Sequence, residues 1–287
     1  MKNQVCCKLC GSIDVSLVFT ESSKGKDYSS YYCKHCDLFQ TLGDIAPVSP
    51  DYVELENHDL DQHHIFLQTL HKYPAFKQWN AIIRSVKRVS QINSLNENVL
   101  DVGCGIGGFL DYAQSQKLNV YGFDASESQV AEAIKRHENV RQCFALGDYI
   151  KKLERDIKFD YITLWDVFEH IREPQKLLSE VKEVMSPSGI LYISVPCGAP
   201  NPLKVLFAKL RGKEPGLIPW EHVFYYTKPS LRAMLESSGF KVLSLGGVKT
   251  YKRPLCASEI IRRIIHKLLA PTRYALQIYV VAELPKV

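Results

Sequence analysis

The chain has 287 residues, of which 46% are hydrophobic and 23% are charged, the balance of a globular protein with room for one large domain and a small one. No uncharged apolar run approaches the roughly 20 residues that cross a bilayer, and the N-terminus is not that of a signal peptide, so we expect a cytoplasmic protein. The net charge of +5 permits an anionic substrate but does not require nucleic acid.

Four cysteines near the N-terminus predict a metal site. They form two CxxC pairs: Cys7, Cys10, Cys33 and Cys36. The 22 residues between the pairs give a spacing close to that of four-cysteine zinc sites, and Cys6 is a rival to Cys7 that fits a knuckle less well. Residues 1–45 bury little core, so we expect about one structural zinc per chain to supply folding energy. Val15–Thr20 and Tyr28–Tyr32 predict two short strands of this ribbon.

Residues 46–94 predict a polar helical connector. It carries four histidines: His58, His63, His64 and His71. Their irregular spacing, without a cluster of cysteines or carboxylates, favours exposed or substrate-facing side chains over metal ligands.

Residues 99–124 predict a strand, a glycine-rich turn, a helix and a second strand. The first strand ends in Asp101, the second ends in Asp124, and the turn contains Gly103, Gly105, Gly107 and Gly108. Glycines let the backbone approach a ligand closely, and a carboxylate after the second strand is placed to bind a ribose diol. The glycine spacing also fits a dinucleotide site, but a pyrophosphate disfavours a nearby anion. Asp101 therefore favours a cationic ligand, such as the ammonium and sulfonium of S-adenosylmethionine.

Strands and helices alternate through the following residues. The predicted strands are Val140–Leu146, Asp160–Val167, Ile190–Val195, Lys241–Leu245 and Gln277–Leu284. Apolar residues recur at helical spacing from Leu177 to Met185, and a turn is predicted at Pro187–Gly189. Such alternation implies a parallel, doubly wound sheet with its ligand at the carboxyl ends of the strands. Four carboxylates fall at or near those ends: Asp101, Asp124, Asp148 and Asp166.

The acidic residue and glycines of residues 101–107 resemble motif I of the class I S-adenosylmethionine-dependent methyltransferases. The resemblance implies an α/β fold over 95–287, a Rossmann-like seven-stranded methyltransferase sheet that ends in an antiparallel edge pair. It assigns ten residues to S-adenosylmethionine: Asp101, Gly103, Cys104, Gly105, Gly107, Asp124, Ala125, Asp148, Trp165 and Asp166. In the family, an acidic residue at the position of Asp148 accepts a hydrogen bond from the adenine amine.

The cysteine pattern CxxCGS…YYCxxCxLxQ resembles the N-terminal zinc ribbon of some bacterial methyltransferases, including sugar C-methyltransferases. Glu169-His170, after the fourth strand, resembles the pair in ubiquinone-pathway O-methyltransferases. This position lacks the Asn/Asp-Pro-Pro-Tyr/Phe motif of enzymes that methylate nucleobases. Pro219–Thr227 resembles a segment of the sugar enzymes in which a Glu-His pair sits beside the reacting carbon.

An acceptor hydroxyl or α-keto carbon must lose a proton, and a histidine that is neutral near pH 7 suits that task. We expect His222 to be the base, with Glu221 as its orienter and Tyr226 as a possible hydrogen-bond partner. His170 is the second candidate, and its alternative is a hydrogen-bonded residue at the start of a helix.

Two further segments complete the predicted organisation. Residues 199–230 form an acceptor-side insertion, of which 199–218 could line or cover the pocket. Residues 251–287 form a C-terminal helix and an edge strand. The amphipathic basic helix over 258–269 favours packing on the core, and a membrane surface is the alternative.

The sequence thus predicts methyl transfer to an oxygen or carbon of a small polar acceptor. A sugar or sugar nucleotide in polysaccharide or natural-product synthesis is favoured by the ribbon resemblance. The alternatives are an RNA methyltransferase with a zinc module, a non-catalytic binding protein that retains the fold, and an oxidoreductase. The charge pattern gives no strong basic face of the kind that RNA binding would favour.

Overall fold

The computed structural model describes residues 5–23, 26–42, 97–153, 156–199, 221–248 and 268–285. The predicted connector with its four histidines lies outside the described residues, as do 200–220 of the insertion and 258–267 of the basic helix. Within these ranges, no helix is long and apolar enough to cross a membrane.

The cysteine ribbon (residues 5–42) supplies three strands of a four-stranded antiparallel sheet. Its first three strands are β1 (Val15–Ser23), β2 (Lys26–Cys33) and β3 (Leu38–Leu42). The first two agree with the predicted ribbon strands, while β3 was not predicted. The fourth strand is β9 (Phe224–Tyr225), which comes from a distant part of the chain and pairs with β3. The ribbon is therefore joined to the rest of the protein by main-chain hydrogen bonds.

A seven-stranded sheet forms the centre of the larger part. Its strands are β4 (Asn98–Val102), β5 (Asn119–Asp124), β6 (Val140–Gln142), β7 (Phe159–Trp165), β8 (Met185–Pro196), β10 (Lys241–Gly247) and β11 (Gln277–Glu283). The order is β10-β11-β8-β7-β4-β5-β6. Strands β4 to β8 are parallel, and β11 is antiparallel to both β8 and β10. The predicted doubly wound sheet and its antiparallel edge pair are confirmed.

Helices cover both faces of this sheet. They are α1 (Gly108–Ser115), α2 (Glu127–Ala133), α3 (Leu146–Lys152), α4 (Pro174–Val184) and α5 (Lys228–Ser237), with a short 3₁₀ turn at Phe168–His170. On β8, Ile190 and Tyr192 pack with α1 and α2, whereas Leu191 and Ile193 pack with α3, α4 and α5. Successive side chains of a strand point to opposite faces, so these parallel strands are buried on both sides.

The third predicted strand was too long. Strand β6 ends at Gln142, opposite Asp124, where its partner β5 also ends. Because an edge strand loses its hydrogen-bond partner at that point, the chain leaves the sheet and α3 begins at Leu146. Asp148 consequently lies in the first turn of a helix and not at the end of a strand.

The predicted turn at Pro187–Gly189 is a bulge within β8. Strand β7 advances from Phe159 to Tyr161 while β8 advances from Met185 to Ile190, so extra residues of β8 leave the register. The two strands are in regular register after this bulge.

Candidate functional site

Asp101 lies next to the end of β4 and is almost fully buried. Its Oδ1 accepts a hydrogen bond of 2.6 Å from Thr163 Oγ1 on the neighbouring strand β7. Burial raises the pKa of Asp101 well above its usual value; the Thr163 hydrogen bond opposes this rise and the charge of Asp124 adds to it. A cationic group beside Asp101 would lower this pKa, so the position is electrostatically suited to a positive ligand.

Three glycines shape the turn after β4. Gly103, Gly105 and Gly107 have φ angles of 73°, 53° and 84°, in the left-handed region. A Cβ at Gly103 would lie 2.4 Å from Val167 Cγ2, and one at Gly105 would lie 2.7 Å from Gln129 Oε1. The turn therefore requires glycine for its backbone conformation and for the close approach of neighbouring side chains.

Asp124, at the end of β5, is tied to this turn. Its Oδ2 accepts a hydrogen bond of 2.8 Å from the Gly105 amide, and its Oδ1 accepts one of 2.9 Å from the Ser126 amide. Burial raises the pKa of Asp124, and these backbone hydrogen bonds oppose the rise. The Ala125 carbonyl accepts from Gln142 Nε2 at 3.1 Å. Asp101, the glycine turn and Asp124 are thus brought together at one edge of the sheet.

Three other predicted cofactor residues, Asp148, Trp165 and Cys104, do not share the hydrogen bonds described above for Asp101 and Asp124. Asp148, on α3, has a side chain that is 64% exposed and pairs with Lys151 at 3.6 Å. Asp148 therefore lies in the first turn of α3, and its role toward the adenine amine stays a prediction. Trp165 packs on Tyr192, with ring centroids 4.4 Å apart, and the Cys104 thiol is buried, which raises its pKa.

Asp166 follows β7 in an uncommon conformation. Its φ angle is 56°, in the left-handed region that non-glycine residues seldom adopt. The Asp166 amide donates to the Ser194 carbonyl at 2.9 Å, and its Oδ1 accepts from Gln277 Nε2 at 2.5 Å. Such backbone strain clusters at functional sites. It directs the chain toward the 3₁₀ turn that carries Glu169 and His170.

His170 and His222 come together although they lie far apart in the sequence. Their rings meet edge to face, with centroids 4.8 Å apart. The Glu221 carbonyl lies 2.9 Å from His170 Nδ1, so in the neutral ring Nδ1 carries the hydrogen and Nε2 keeps its lone pair. Burial lowers the pKa of both rings; that of His222 falls to about 4, with a further decrease from His170 and an opposing increase from Asp166. Both imidazoles are therefore neutral at pH 7.

The predicted partners of His222 require two corrections. Glu221 contacts His170 through its backbone carbonyl, so it orients His170 where we expected it to orient His222. Tyr226 is fully buried and stacks on Phe168, whereas the Tyr225 ring lies 5.4 Å from that of His222. Neighbouring residues of a strand point to opposite faces, which is why the contact belongs to Tyr225. Sequence reasoning missed Tyr225, although strand alternation could have indicated it.

The described residues contain two groups that could hold a metal ion. The first consists of the predicted cysteines, Cys7, Cys10, Cys33 and Cys36. The Sγ–Sγ distances are 3.9 Å for Cys7–Cys36 and 3.8 Å for Cys10–Cys33. Tetrahedral zinc with Zn–S bonds of about 2.3 Å requires sulfur separations of about 3.8 Å, so the four cysteines fit this ion. Cys6 is outside the group and contributes its carbonyl to a hydrogen bond from Gln40.

The second group contains Glu169, His170 and His222, whose donor atoms lie within 4.8 Å of one another. Glu169 is buried, and its Oε1 lies 3.8 Å from His170 Nε2. This arrangement allows two chemistries: proton abstraction by a neutral imidazole, or ligation of a divalent cation by two nitrogens and a carboxylate.

A family model described as "Methyltransferase domain" matches residues 71–245, more than half of the chain. A ubiquinone biosynthesis O-methyltransferase of Rickettsia bellii is 32% identical over 117 residues, which are 40% of this chain and 48% of that protein. The chain thus spans about half the length of this relative. An enzyme of the same name from Coxiella burnetii is 31% identical over 168 residues, 55% of this chain and 69% of that protein.

Solved structures have the same fold. The plantazolicin methyltransferase BpumL, in complex with SAH, has a TM-score of 0.52 and 16% identity, over 83% of this chain and 91% of that chain. A S-adenosylmethionine-dependent methyltransferase from Clostridium acetobutylicum has a TM-score of 0.51 and 12% identity, over 78% of this chain and 98% of that chain. At such identities the similarity concerns the fold alone.

Proposed function

The chain belongs to the class I S-adenosylmethionine-dependent methyltransferases, and from this premise we propose that it methylates an oxygen or a carbon of a small polar acceptor, with a neutral histidine as the base. The observation that carries the proposal is the contact between His170 and His222, two neutral imidazoles beside the end of β7. A base in this position could remove the acceptor proton near pH 7 without first losing a proton of its own.

On the donor side, we propose that the glycine turn and two carboxylates hold S-adenosylmethionine, which supplies an electrophilic methyl group when bound. Asp101 would attract the positive charges of the ligand, and Asp124, held against the turn by the Gly105 amide, would accept from the ribose hydroxyls. Ligand binding in the crevice at the carboxyl ends of strands is the general rule for such sheets.

On the acceptor side, we propose that His222 removes the proton and that His170 is the alternative base. The acceptor oxygen or carbon would gain the methyl group, the sulfonium would retain the electron pair of its broken bond, and the imidazole would retain the proton. Most of the rate in such an in-line displacement comes from holding the nucleophile and the methyl group in line. The Glu221 carbonyl supports this role for His170 because it leaves Nε2 free of the hydrogen.

We propose a sugar or sugar nucleotide as the acceptor, on the strength of the cysteine ribbon that resembles that of sugar methyltransferases. The names of the curated relatives, ubiquinone biosynthesis O-methyltransferases, favour a second candidate, a hydroxyl of a small aromatic acceptor. Both substrates present a hydroxyl that a neutral imidazole could deprotonate. RNA is a weaker candidate because the net charge is only +5.

Incubation of the protein with S-adenosylmethionine and separate pools of nucleotide sugars and dihydroxybenzoates, followed by mass spectrometry, tests this proposal. We expect one pool to yield a product heavier by one methyl group, and the His222→Ala variant to lose most of this turnover. Normal turnover of His222→Ala with the verified acceptor would remove the base assignment. Methylation of RNA but of neither pool would contradict the proposed acceptor class.

We also propose that Cys7, Cys10, Cys33 and Cys36 hold one structural zinc. Four thiolate ligands leave no open coordination position, so the ion would stabilise the ribbon and would not take part in methyl transfer. The sulfur separations of 3.8 and 3.9 Å support this assignment.

A further inference from the structure

The cysteine ribbon is hydrogen-bonded to the segment that carries His222. Residues 221–227, the acceptor segment, contain β9, which pairs with β3 of the ribbon in the register Phe39 with Tyr225 and Gln40 with Phe224. The Thr41 amide also donates to the Val223 carbonyl at 2.8 Å. The main chain that follows His222 is therefore part of the ribbon sheet.

Gln40 connects this strand pair to the first cysteine knuckle. The side chain is fully buried and bonded at both ends: Oε1 accepts from the Lys8 amide at 2.8 Å, and Nε2 donates to the Cys6 carbonyl at 2.7 Å. These two backbone groups flank Cys7. A buried amide with two such partners fixes the knuckle relative to β3, because a change on either side would leave polar groups unpaired.

The second cysteine knuckle holds the other end of the acceptor segment. Asp37 follows Cys36, and its carbonyl accepts a hydrogen bond of 2.7 Å from Thr227 Oγ1. Thr227 is also the N-cap of α5, where its hydroxyl accepts from the Ser230 amide. The acceptor segment is thus attached to the ribbon beside both cysteine pairs.

On its opposite side, the acceptor segment contacts the 3₁₀ turn after β7. The Val223 amide donates to the Glu169 carbonyl at 3.0 Å, and His170 Nδ1 donates to the Glu221 carbonyl at 2.9 Å. The ribbon and this turn therefore hold the segment between them. The hydrogen bonds of Asp101 and Asp124, by contrast, run to residues of the seven-stranded sheet and its turns.

We propose that the ribbon positions the acceptor half of the active site, and that Gln40 is the residue through which the first cysteine knuckle sets the place of His222. Gln40 is a positioning residue, since it acts through β3 and β9 and not on the reacting atoms. The inference rests on the proposed function of the His222 segment. It gives the ribbon a role in acceptor binding that is separate from donor binding.

The test compares the Gln40→Leu variant with Thr20→Val, a matched control that removes the hydroxyl bond from Thr20 to Ser29 on the outer hairpin of the ribbon. Amide exchange followed by mass spectrometry would be measured over the acceptor segment and over residues 99–110. Calorimetry with S-adenosylhomocysteine would report the donor site, and NMR of ¹³C-labelled histidine would report the titration of His222.

For Gln40→Leu we expect amide exchange in the acceptor segment to rise by about tenfold or more, and His222 to titrate closer to the ordinary value of 6.5. The affinity for S-adenosylhomocysteine should stay within about twofold, and Thr20→Val should match the wild type. Once an acceptor is known, its KM should rise in Gln40→Leu more than kcat falls. Exchange that rises only around residues 5–12 would overturn the proposal, as would an equal loss of donor affinity.

If Gln40→Leu does not fold, Thr227→Val and Thr227→Ser provide a second comparison. The first variant removes the hydroxyl that bonds to the Asp37 carbonyl and also caps α5, and the second retains it, so exchange over Lys228–Ser237 is measured beside that over residues 221–226 and should rise less. We expect faster exchange over residues 221–226 in Thr227→Val and near-normal exchange in Thr227→Ser. Equal exchange in both would overturn the proposal. The exchange measurements need no acceptor, so they can fail or succeed independently of the turnover of His222→Ala that tests the proposed function.

Discussion

The ring of His170 meets that of His222 edge to face, with 4.8 Å between the centroids. His170 lies in the 3₁₀ turn that follows β7, and His222 lies just before β9. Two separate parts of the chain therefore supply the pair. The Glu221 carbonyl fixes the tautomer of His170, and burial keeps both rings neutral. Under the proposed function, these two histidines are the candidate bases for the acceptor.

Replacement of His222 by alanine should lower turnover by about 10²- to 10⁴-fold, the usual contribution of a general base, while donor affinity is unchanged. The wild-type rate should hold as the pH falls below 6.5 and decline only toward the lowered pKa of about 4. A pH–rate profile with the verified acceptor checks this expectation. Added Zn²⁺ or Ni²⁺ should not raise the rate; a rate that rises with either ion would favour cation binding by Glu169 and the two histidines.

The same lowered pKa predicts how stability depends on pH. Between about 4 and 6.5, His222 is neutral in the folded protein but protonated in the unfolded chain. The unfolded state therefore binds more protons, and the free energy of unfolding falls as the pH falls through this window. Urea denaturation at pH 7 and pH 5 measures this effect: the free energy of unfolding should fall more in the wild type than in His222→Ala. An equal loss of stability in both proteins would contradict it.

Metal analysis of the purified protein should give about one zinc per chain. Cys33→Ser should lose the metal and much of its stability, because Cys33 is one of the four clustered thiols. Cys6→Ser is the matched control: Cys6 lies outside the cluster and offers only its carbonyl to Gln40, so this variant should retain zinc. A wild-type protein without zinc, or loss of zinc in both variants, would remove the assignment.

Two glycines should respond to alanine in opposite directions. In Gly103→Ala, the backbone would keep a φ angle of 73° and the new Cβ would lie 2.4 Å from Val167 Cγ2. We therefore expect the free energy of unfolding to fall by about 2–4 kcal/mol. Gly147 lies in the first turn of α3, and a Cβ added there would lie 3.8 Å from Glu180 Oε1, an ordinary van der Waals contact. In Gly147→Ala, the free energy of unfolding should rise by about 0.5 kcal/mol, because alanine lowers the conformational entropy of the unfolded chain. Urea denaturation measures both, and equal effects would contradict the described turn.

The sequence was sufficient to predict the seven strands of the large sheet in chain order, because buried parallel strands and amphipathic helices have distinct periods. The sharp turns at Gly103 and Gly105 were also predictable, since few other residues adopt such backbone angles. The pairing of Phe39 with Tyr225 was not, because nothing local to either residue specifies a partner so far away.

Two further differences concern short strands. Whether Tyr225 or Tyr226 faces His222 depends on the register of a two-residue strand, and the alternation reverses with a shift of one residue. The third strand was predicted too long because the end of β6 depends on where its partner β5 ends. Both errors concern tertiary pairing, to which local sequence patterns are insensitive.

The structure predicts different effects for two carboxylates in donor binding. Asp124→Ala removes a carboxylate that accepts from the Gly105 amide, so S-adenosylmethionine should bind at least about tenfold more weakly. Asp148→Ala removes a side chain that is 64% exposed on α3, and affinity should change by less than about twofold. Calorimetry compares the two variants. A larger loss in Asp148→Ala would restore this residue to the adenine site.

Calorimetric titration of the wild type and Asp101→Asn with S-adenosylmethionine tests the donor site most directly. Asparagine preserves the size of the side chain and an oxygen that accepts from Thr163, but removes the charge. We expect one donor site in the wild type, binding weakened by about tenfold or more in Asp101→Asn, and no binding of NAD. Equal affinity in the two proteins, or binding of NAD at this turn, would contradict a site in which an acidic group selects a cationic methyl donor.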